Sequence, residues 1–409
     1  KYKIENLYFK LQLGKYSIKS DFYIIIENFQ NNFFTLSEIK ELFYNRHIPK
    51  VARDFAPATS IMSQIEKADR LLCYPYESMT PFIKLLSEAG EDDNVISIKM
   101  TLYRVAKNSQ IVETLINAAE NGKEVVVLVE LRARFDEENN IGWSRVLEEA
   151  GCRVIYGLDH TKVHSKMCVI TYQGKNKVRY ITQIGTGNYN EKTAKLYTDL
   201  SLMTADRNIG IEAATTFSKL CMGEFIHDTK HLLVAPRSMK DKILEYMNQE
   251  IEAVHQGMTG FIGIKINSLT DKEIIDKLIE CSKEGVQIQL IVRGICCLVP
   301  DIKGHTENIS VISIVGRFLE HSRIYIFGTA QRDHIFIASA DFMTRNMERR
   351  VEIAAPIYDE GLRERVRNIF HIMQCDTVKA KQLTKSGKYK RRDTKMLKVM
   401  DSQEYLCKN

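Results

Sequence analysis

Val163-His-Ser-Lys-Met-Cys-Val-Ile170 sets a His-x-Lys motif directly before an apolar run, and Glu320-His-Ser-Arg-Ile-Tyr-Ile-Phe327 repeats the arrangement about 160 residues later. One such motif is a trivial match; two, each followed by a small or polar turn and an acid in an apolar run, are a signal. Working outward, Gly185-Thr-Gly-Asn188 corresponds to Ala338-Ser-Ala-Asp341, Asp199 to Glu352, and the helix-stopping Gly122 to Gly285. The flanking pattern repeats as well. Strands are expected over residues 95–102, 123–131, 154–156, 166–172, 179–184 and 199–204, with helices over 111–120 and 143–150. The second series has strands over 261–266, 286–292, 310–315, 323–327, 334–338 and 350–355, with helices over 239–255 and 272–283. A repeat this long is no solenoid unit. Alternating strands and helices predict an α/β fold made of two similar domains facing each other across a pseudo-two-fold axis.

The length of 409 residues suits two or three domains at roughly 100–200 residues each. The expected division is 1–70, an unassigned remnant of an upstream region; 71–235 and 236–376, the two repeat domains; and 377–409, a basic tail. Lys1 stands where an initiator Met would, so a longer parent chain is expected. No window approaches the ~18 uninterrupted apolar residues of a membrane span. The nine cysteines form no CxxC or zinc spacing, and a reducing cytoplasm is the expected location, with peripheral attachment to the inner membrane as the alternative. The net charge of +6 invites a nucleic-acid reading, but residues 377–409 alone contribute +7 and the rest of the chain sums to −1. Any polyanion site in the body must come from local placement, and no nucleic-acid partner is expected.

Pseudo-symmetry would bring His164 and His321 together at the domain interface. One neutral imidazole can then attack phosphorus while the other assists or moves protons. Lys166 and Arg323 would hold non-bridging phosphoryl oxygens. A nucleophilic histidine needs its second nitrogen held, and Asp199 and Glu352 are the repeat-equivalent acids for this, one per histidine. Arg104, Arg132, Arg134 and Arg293 follow predicted strands, where α/β sheets bind ligands. Salt bridges to Asp136, Glu137 and Glu138 are the alternative use of these arginines. Tyr197 could stack on a base or fill core, and Gly185-Thr-Gly-Asn188 could cradle phosphates through its N–H groups. His160, His227, His231 and His334 have no ligand spacing and are read as surface or core residues. The P-loop and protein-kinase signatures are absent.

Thr101-Leu-Tyr-Arg104, Leu131-Arg-Ala-Arg-Phe-Asp-Glu-Glu-Asn-Asn140, Val163-His-Ser-Lys166, Gly185-Thr-Gly-Asn-Tyr-Asn-Glu-Lys-Thr-Ala194, Ile291-Val-Arg-Gly-Ile-Cys-Cys297 and Gly316-Arg-Phe-Leu-Glu-His-Ser-Arg323 together resemble the bacterial polyphosphate kinases of the long-chain-synthesising type, over about residues 70–375. The resemblance implies two phospholipase D-like domains and reversible transfer of the terminal phosphoryl of ATP to inorganic polyphosphate, releasing ADP. It implies that His164 becomes phosphorylated and that His321 is the second catalytic, nucleotide-contacting histidine. It also implies that Tyr197 and Arg293 contact nucleotide and that Arg104 and Arg134 line a Mg²⁺–phosphate site. Guanidinium cannot ligate Mg²⁺, so these two arginines are expected to clamp phosphate beside the ion. ATP, ADP and polyphosphate are the implied partners, and a homo-oligomer is expected. The family's N-terminal domains, with an asparagine implied in ATP binding, are expected to lie outside this chain, so weak ATP binding by the chain alone is expected too.

Two other functions compete. A phospholipase D-like phosphodiesterase or nuclease would use the same histidines and pass the intermediate to water. A polyanion-binding module would rely on the basic tail alone. The arginines at strand ends favour the kinase, because hydrolysis of a diester needs fewer clamps.

Overall fold

The structure is a computed structural model that describes residues 44–56, 58–131, 137–158, 161–226, 228–392 and 398–409. The chain divides into Lys1–Ile48, of which residues 44–48 are described and carry no helix or strand, and Pro49–Asn409. Arg132, Arg134, Asp136, His160 and His227 lie outside the described residues.

Within Pro49–Asn409 the repeat is realised strand for strand. The first half contains β1 (Arg70–Tyr74), β2 (Val95–Leu102), β3 (Glu124–Val129), β4 (Arg153–Tyr156), β5 (Lys162–Val163), β6 (Met167–Gln173), β7 (Val178–Gly185) and β8 (Tyr197–Thr204). The second contains β9 (Leu233–Ala235), β10 (Phe261–Ile266), β11 (Gln287–Val292), β12 (Ile309–Ile314), β13 (Leu319–Glu320), β14 (Arg323–Phe327), β15 (His334–Ala338) and β16 (Arg350–Pro356), extended by β17 (Ala380–Leu383) and β18 (Tyr389–Arg391). One sheet runs β1-β8-β7-β6-β2-β3-β4; the other carries β12-β11-β10-β14-β15-β16 in the matching order, with β9 on β16. In both, the two strands beyond the central one run parallel to it, joined through helices except between β11 and β12, while the strands on its other side run antiparallel to their neighbours. Buried on both faces, β3 reads as a near-continuous apolar run, Glu124-Val-Val-Val-Leu-Val129, whereas β4 at the sheet edge is exposed or half-buried.

The crossover helices repeat too. Gln110–Glu120 is N-capped by Ser109 and Lys272–Lys283 by Asp271, each side chain accepting from a backbone N–H of the first turn. Gly122 (φ +81°) and Gly285 (φ +93°) end them in the left-handed region that a side chain disfavours. Each domain has its own apolar core, and a third cluster takes residues from both, among them Val163, Met167 and Phe217 from the first and Ile291, Ile324 and Phe370 from the second.

The expected boundaries shift. β1 pairs with β8, and the helix Ile61–Lys67 packs on the same core, so the first domain takes in residues before 71. β9 pairs with β16 and belongs to the second domain. Residues 377–409 are not an appended tail: β17 pairs with β12, Ala380 and Leu383 are buried, and the helix Ser402–Lys408 inserts Gln403 into the interior. Composition registers the lysines of this segment and misses the small apolar residues that alternate with them.

Candidate active site

The two histidines are placed by an exchange of short strands. β5 pairs in parallel with β16 of the second domain, and the N–H groups of His164 and Ser165 both donate to the Val351 carbonyl at 2.9 Å. Symmetrically, β13 pairs with β8 of the first domain, and the His321 N–H donates to Thr198 Oγ1 at 3.1 Å. Each motif therefore sits on the other half's sheet. His164 Nδ1 lies 2.9 Å from Glu352 Oε2, while His321 Nδ1 lies 2.8 and 3.0 Å from the two oxygens of Asp199. One acid stands against each histidine, and the pairing is crossed: each acid faces the histidine of the opposite half.

The acids are themselves held. Glu352 accepts from Ser339 Oγ and, at 2.6 Å, from Asn346 Nδ2; Asp199 accepts from Thr186 Oγ1 at 2.6 Å. Thr186 and Ser339 are the hydroxyl residues of the two small turns, a role their repeat equivalence could have disclosed. Gly187 is glycine because a Cβ there would come within 2.1 Å of Asp199 Oδ2. The turn is thus a support for Asp199. Its Gly185 and Thr186 N–H groups already donate to the carbonyls of Lys166 and Leu200, which removes them from the expected phosphate cradle.

Both cations are buried. Lys166 Nζ donates to the His164 carbonyl and lies 5.2 Å from the centre of the Tyr103 ring. Arg323 is held by Asp341 through Nε and Nη2 at 3.2 and 3.3 Å. Its Nη1 reaches the His321 carbonyl at 2.8 Å, the Thr186 carbonyl of the other half at 3.3 Å, and His321 Nε2 at 3.2 Å. Burial pushes His164 down to about 4 against the pull of Glu352, and Lys166 down to about 7. His321 is lowered as well, mainly by burial. Burial alone would raise Glu352 and Asp199, but their partners hold both below the usual carboxylate range. At neutral pH the pattern is a neutral imidazole backed by a carboxylate on each side, with Nδ1–H donated and Nε2 left as the lone-pair nitrogen. Among the described residues His164 Nε2 has no hydrogen-bond partner, whereas His321 Nε2 faces Arg323.

Of the other expected residues, Tyr197 places its ring 5.4 Å from that of His321, tilted by 47°. Arg293 Nε donates to Asn267 Oδ1 at 2.9 Å and to the Glu320 carbonyl at 2.8 Å. Arg104 follows β2 with its guanidinium 5.7 Å from the Tyr103 ring centre, and Tyr103, which sequence reasoning passed over, stands edge-on to His164 at 4.9 Å. His231 and His334 are away from this cluster, beside Tyr358 and Tyr246 respectively. Magnesium is a hard cation that wants oxygen ligands. Asp199, Glu352 and Asp341 are committed to His321, His164 and Arg323, and no cluster of three His, Cys, Asp or Glu among the described residues could hold an ion. These residues do not fit a protein-bound Mg²⁺. Among them, no helix is long and apolar enough to cross a membrane.

Comparison with known proteins agrees with this architecture. Residues 60–225 match the family described as polyphosphate kinase C-terminal domain 1, and residues 232–403 match polyphosphate kinase C-terminal domain 2. A polyphosphate kinase of Staphylococcus epidermidis is 46% identical over 352 residues, covering 86% of this chain and 48% of that protein. The crystal structure of polyphosphate kinase from Porphyromonas gingivalis superposes with a TM-score of 0.84 at 35% identity, over 92% of this chain and 57% of that one. The structure of phosphatidylserine synthase from Haemophilus influenzae superposes with a TM-score of 0.53 at 10% identity, over 84% of this chain and 92% of that one, a likeness of fold alone. Two similar α/β domains related by an internal repeat, as expected from the sequence, are what the chain has. The chain spans about half the length of the curated relatives it matches.

Proposed function

The chain belongs to the polyphosphate kinase family, and we propose that its two domains form the phosphoryl-transfer centre of an ATP–polyphosphate phosphotransferase, with His164 as the nucleophile. One observation carries the reading: the crossed pairs His164–Glu352 and His321–Asp199, each fixing an imidazole through Nδ1, with Lys166 and Arg323 beside them. His164 Nε2 attacks the γ-phosphorus of ATP in line; the N–P bond forms as the bond to the β-phosphate bridging oxygen breaks, and ADP leaves. Glu352 stabilises the imidazolium character that develops on His164, and Lys166 and Arg323 hold the non-bridging oxygens. The terminal phosphate of polyphosphate then attacks the phosphohistidine, breaking the N–P bond and lengthening the chain by one unit. His321, with Arg323 on Nε2 and Tyr197 against its ring, attends the nucleotide and the leaving oxygen. Arg104 and Arg293, which follow β2 and β11, supply further positive charge at strand ends, where a phosphate chain would run.

The test uses ATP labelled at the γ-phosphate, with Mg²⁺ in the buffer. Acid-labile, alkali-stable label is expected on the protein, lost in His164→Gln and kept in His255→Gln, a surface residue paired with Glu284. Label that survives in His164→Gln removes the nucleophile assignment. Label that forms but passes only to water, whatever polyphosphate is added, favours the phosphodiesterase reading.

A further inference from the structure

The two halves differ at one buried point behind the histidines. Cys168 stands four residues after His164 and pairs with Met100; Tyr325 stands four after His321 and pairs with Ile264. Thr101 of β2 is therefore the counterpart of Lys265 of β10, and Val163 the counterpart of Glu320. The positions do equivalent backbone work: Thr101 Oγ1 donates to the Ser165 carbonyl and Lys265 Nζ to the Ser322 carbonyl, both at 2.9 Å. In the first half this is done by a hydroxyl, and the residue before the histidine is the apolar Val163, whose N–H donates to the buried Glu130 Oε2 at 2.9 Å. In the second it is done by an ammonium beside a carboxylate, Lys265 Nζ lying 3.2 Å from Glu320 Oε2, both residues 1% exposed.

A buried ion pair is a poor device for stability alone, since desolvation of both charges offsets their attraction. The first half does the same backbone work at the equivalent position with a neutral hydroxyl. What the pair adds is directional. Glu320 accepts from Thr198 Oγ1 at 2.9 Å, and that oxygen receives the His321 N–H. Its other carboxylate oxygen accepts from Gln403 Nε2 at 2.6 Å. Gln403 also closes both polar groups of the Phe318 backbone, at 2.9 and 3.0 Å. Glu320 precedes His321 in the chain and Thr198 precedes Asp199, so the network spans the histidine, its acid and the C-terminal helix.

We propose that Glu320, held by Lys265, Thr198 and Gln403, is a positioning residue for His321, fixing β13 so that the ring stays in register with Asp199, and that the helix Ser402–Lys408 takes part in the transfer centre through Gln403. The kinetic consequence rests on the reading of His321 as the second catalytic histidine.

The experiment compares four proteins: wild type, Glu320→Val, Lys265→Thr/Glu320→Val, which installs the first half's pair, and Gln403→Ala. Glu320→Val strands an ammonium and should melt far below wild type; the double variant should regain most of the lost melting temperature. Despite that recovery, its kcat for transfer from ATP to polyphosphate should stay at least ~10-fold down with the ATP KM within about 2-fold, and Gln403→Ala should fall in the same sense. A double variant with wild-type kcat would overturn the proposal, since neutralisation would then be the pair's whole role. A second readout is independent of catalysis. The low-field Nδ1–H resonance of His321, assigned by its loss in His321→Gln, should shift or broaden in the double variant and in Gln403→Ala while that of His164 stays in place. An unmoved resonance drops the positioning role. If the wild-type chain transfers no phosphoryl group, the kinetic comparison falls away and the resonance alone decides. If the double variant does not fold, Gln403→Ala decides by the same criteria.

Discussion

Burial brings the Lys166 ammonium down to about 7, so it holds its charge only weakly at neutral pH. Phosphoryl transfer needs that ammonium charged and His164 neutral, so kcat/KM should fall above pH 7 by about tenfold per unit until the substrate's own charge saturates the effect. Arg323 shows that a guanidinium suits the equivalent position, so Lys166→Arg should move the alkaline limb to higher pH; a limb that does not move would assign it to another group. His164 gives a stability prediction. Its folded pKa of about 4 lies below the ordinary 6.5, so between those values the unfolded chain binds the extra proton and stability falls as pH falls. The loss is on the order of 3 kcal/mol by pH 4. Glu352 and Asp199, held low, add in the same direction at still lower pH. His164→Gln should therefore lose melting temperature less steeply than wild type between pH 6.5 and 4, measured by calorimetry. The six residues expected at this centre from their spacing are together in the structure. Who pairs with whom was not legible, because spacing establishes equivalence within a repeat and says nothing of contacts made across it.

At the scale of elements, the longer strands were legible and the decisive ones were not. β2, β10, β14 and β15 begin and end where the apolar runs do. β5 and β13 have two residues each, too few for any periodicity, yet they carry both histidines into place. The turn between β7 and β8 invites a direct test. Gly187→Ala forces Asp199 away from His321, and kcat should drop at least ~10-fold with little change in ATP KM. Gly210→Ala is the matched control. Its Cβ would meet Tyr180 Cβ at 2.4 Å, away from the site, and should destabilise by about 1–3 kcal/mol while leaving kcat unchanged. Equal kinetic losses in the two variants would mean that Gly187 matters only for packing.

For the whole molecule, charge counting misplaced a boundary. The excess positive charge does sit after residue 376, but Asp376, fully buried, accepts from the N–H groups of Val378, Lys379 and Ala380 and from Ser402, folding that segment back onto the second domain. Deleting residues 377–409 should thus lower the melting temperature and abolish transfer, where a loosely attached tail would cost binding alone. The core shared by the two domains predicts a second behaviour. A proteolytic nick beside the exposed Met222 should leave both fragments eluting together in gel filtration with transfer retained, and they should part only in denaturant.

The exchanged strands also bear on how such a protein is made. When synthesis has passed His164 but not Glu352, the nascent chain holds a histidine whose orienting carboxylate does not yet exist, and Asp199 waits in the same way for His321. Neither half contains a complete histidine–carboxylate pair of its own. Under the proposed function, catalysis begins only when β16 of the second sheet is in place, so an incomplete chain on the ribosome is protected from consuming ATP by its own topology.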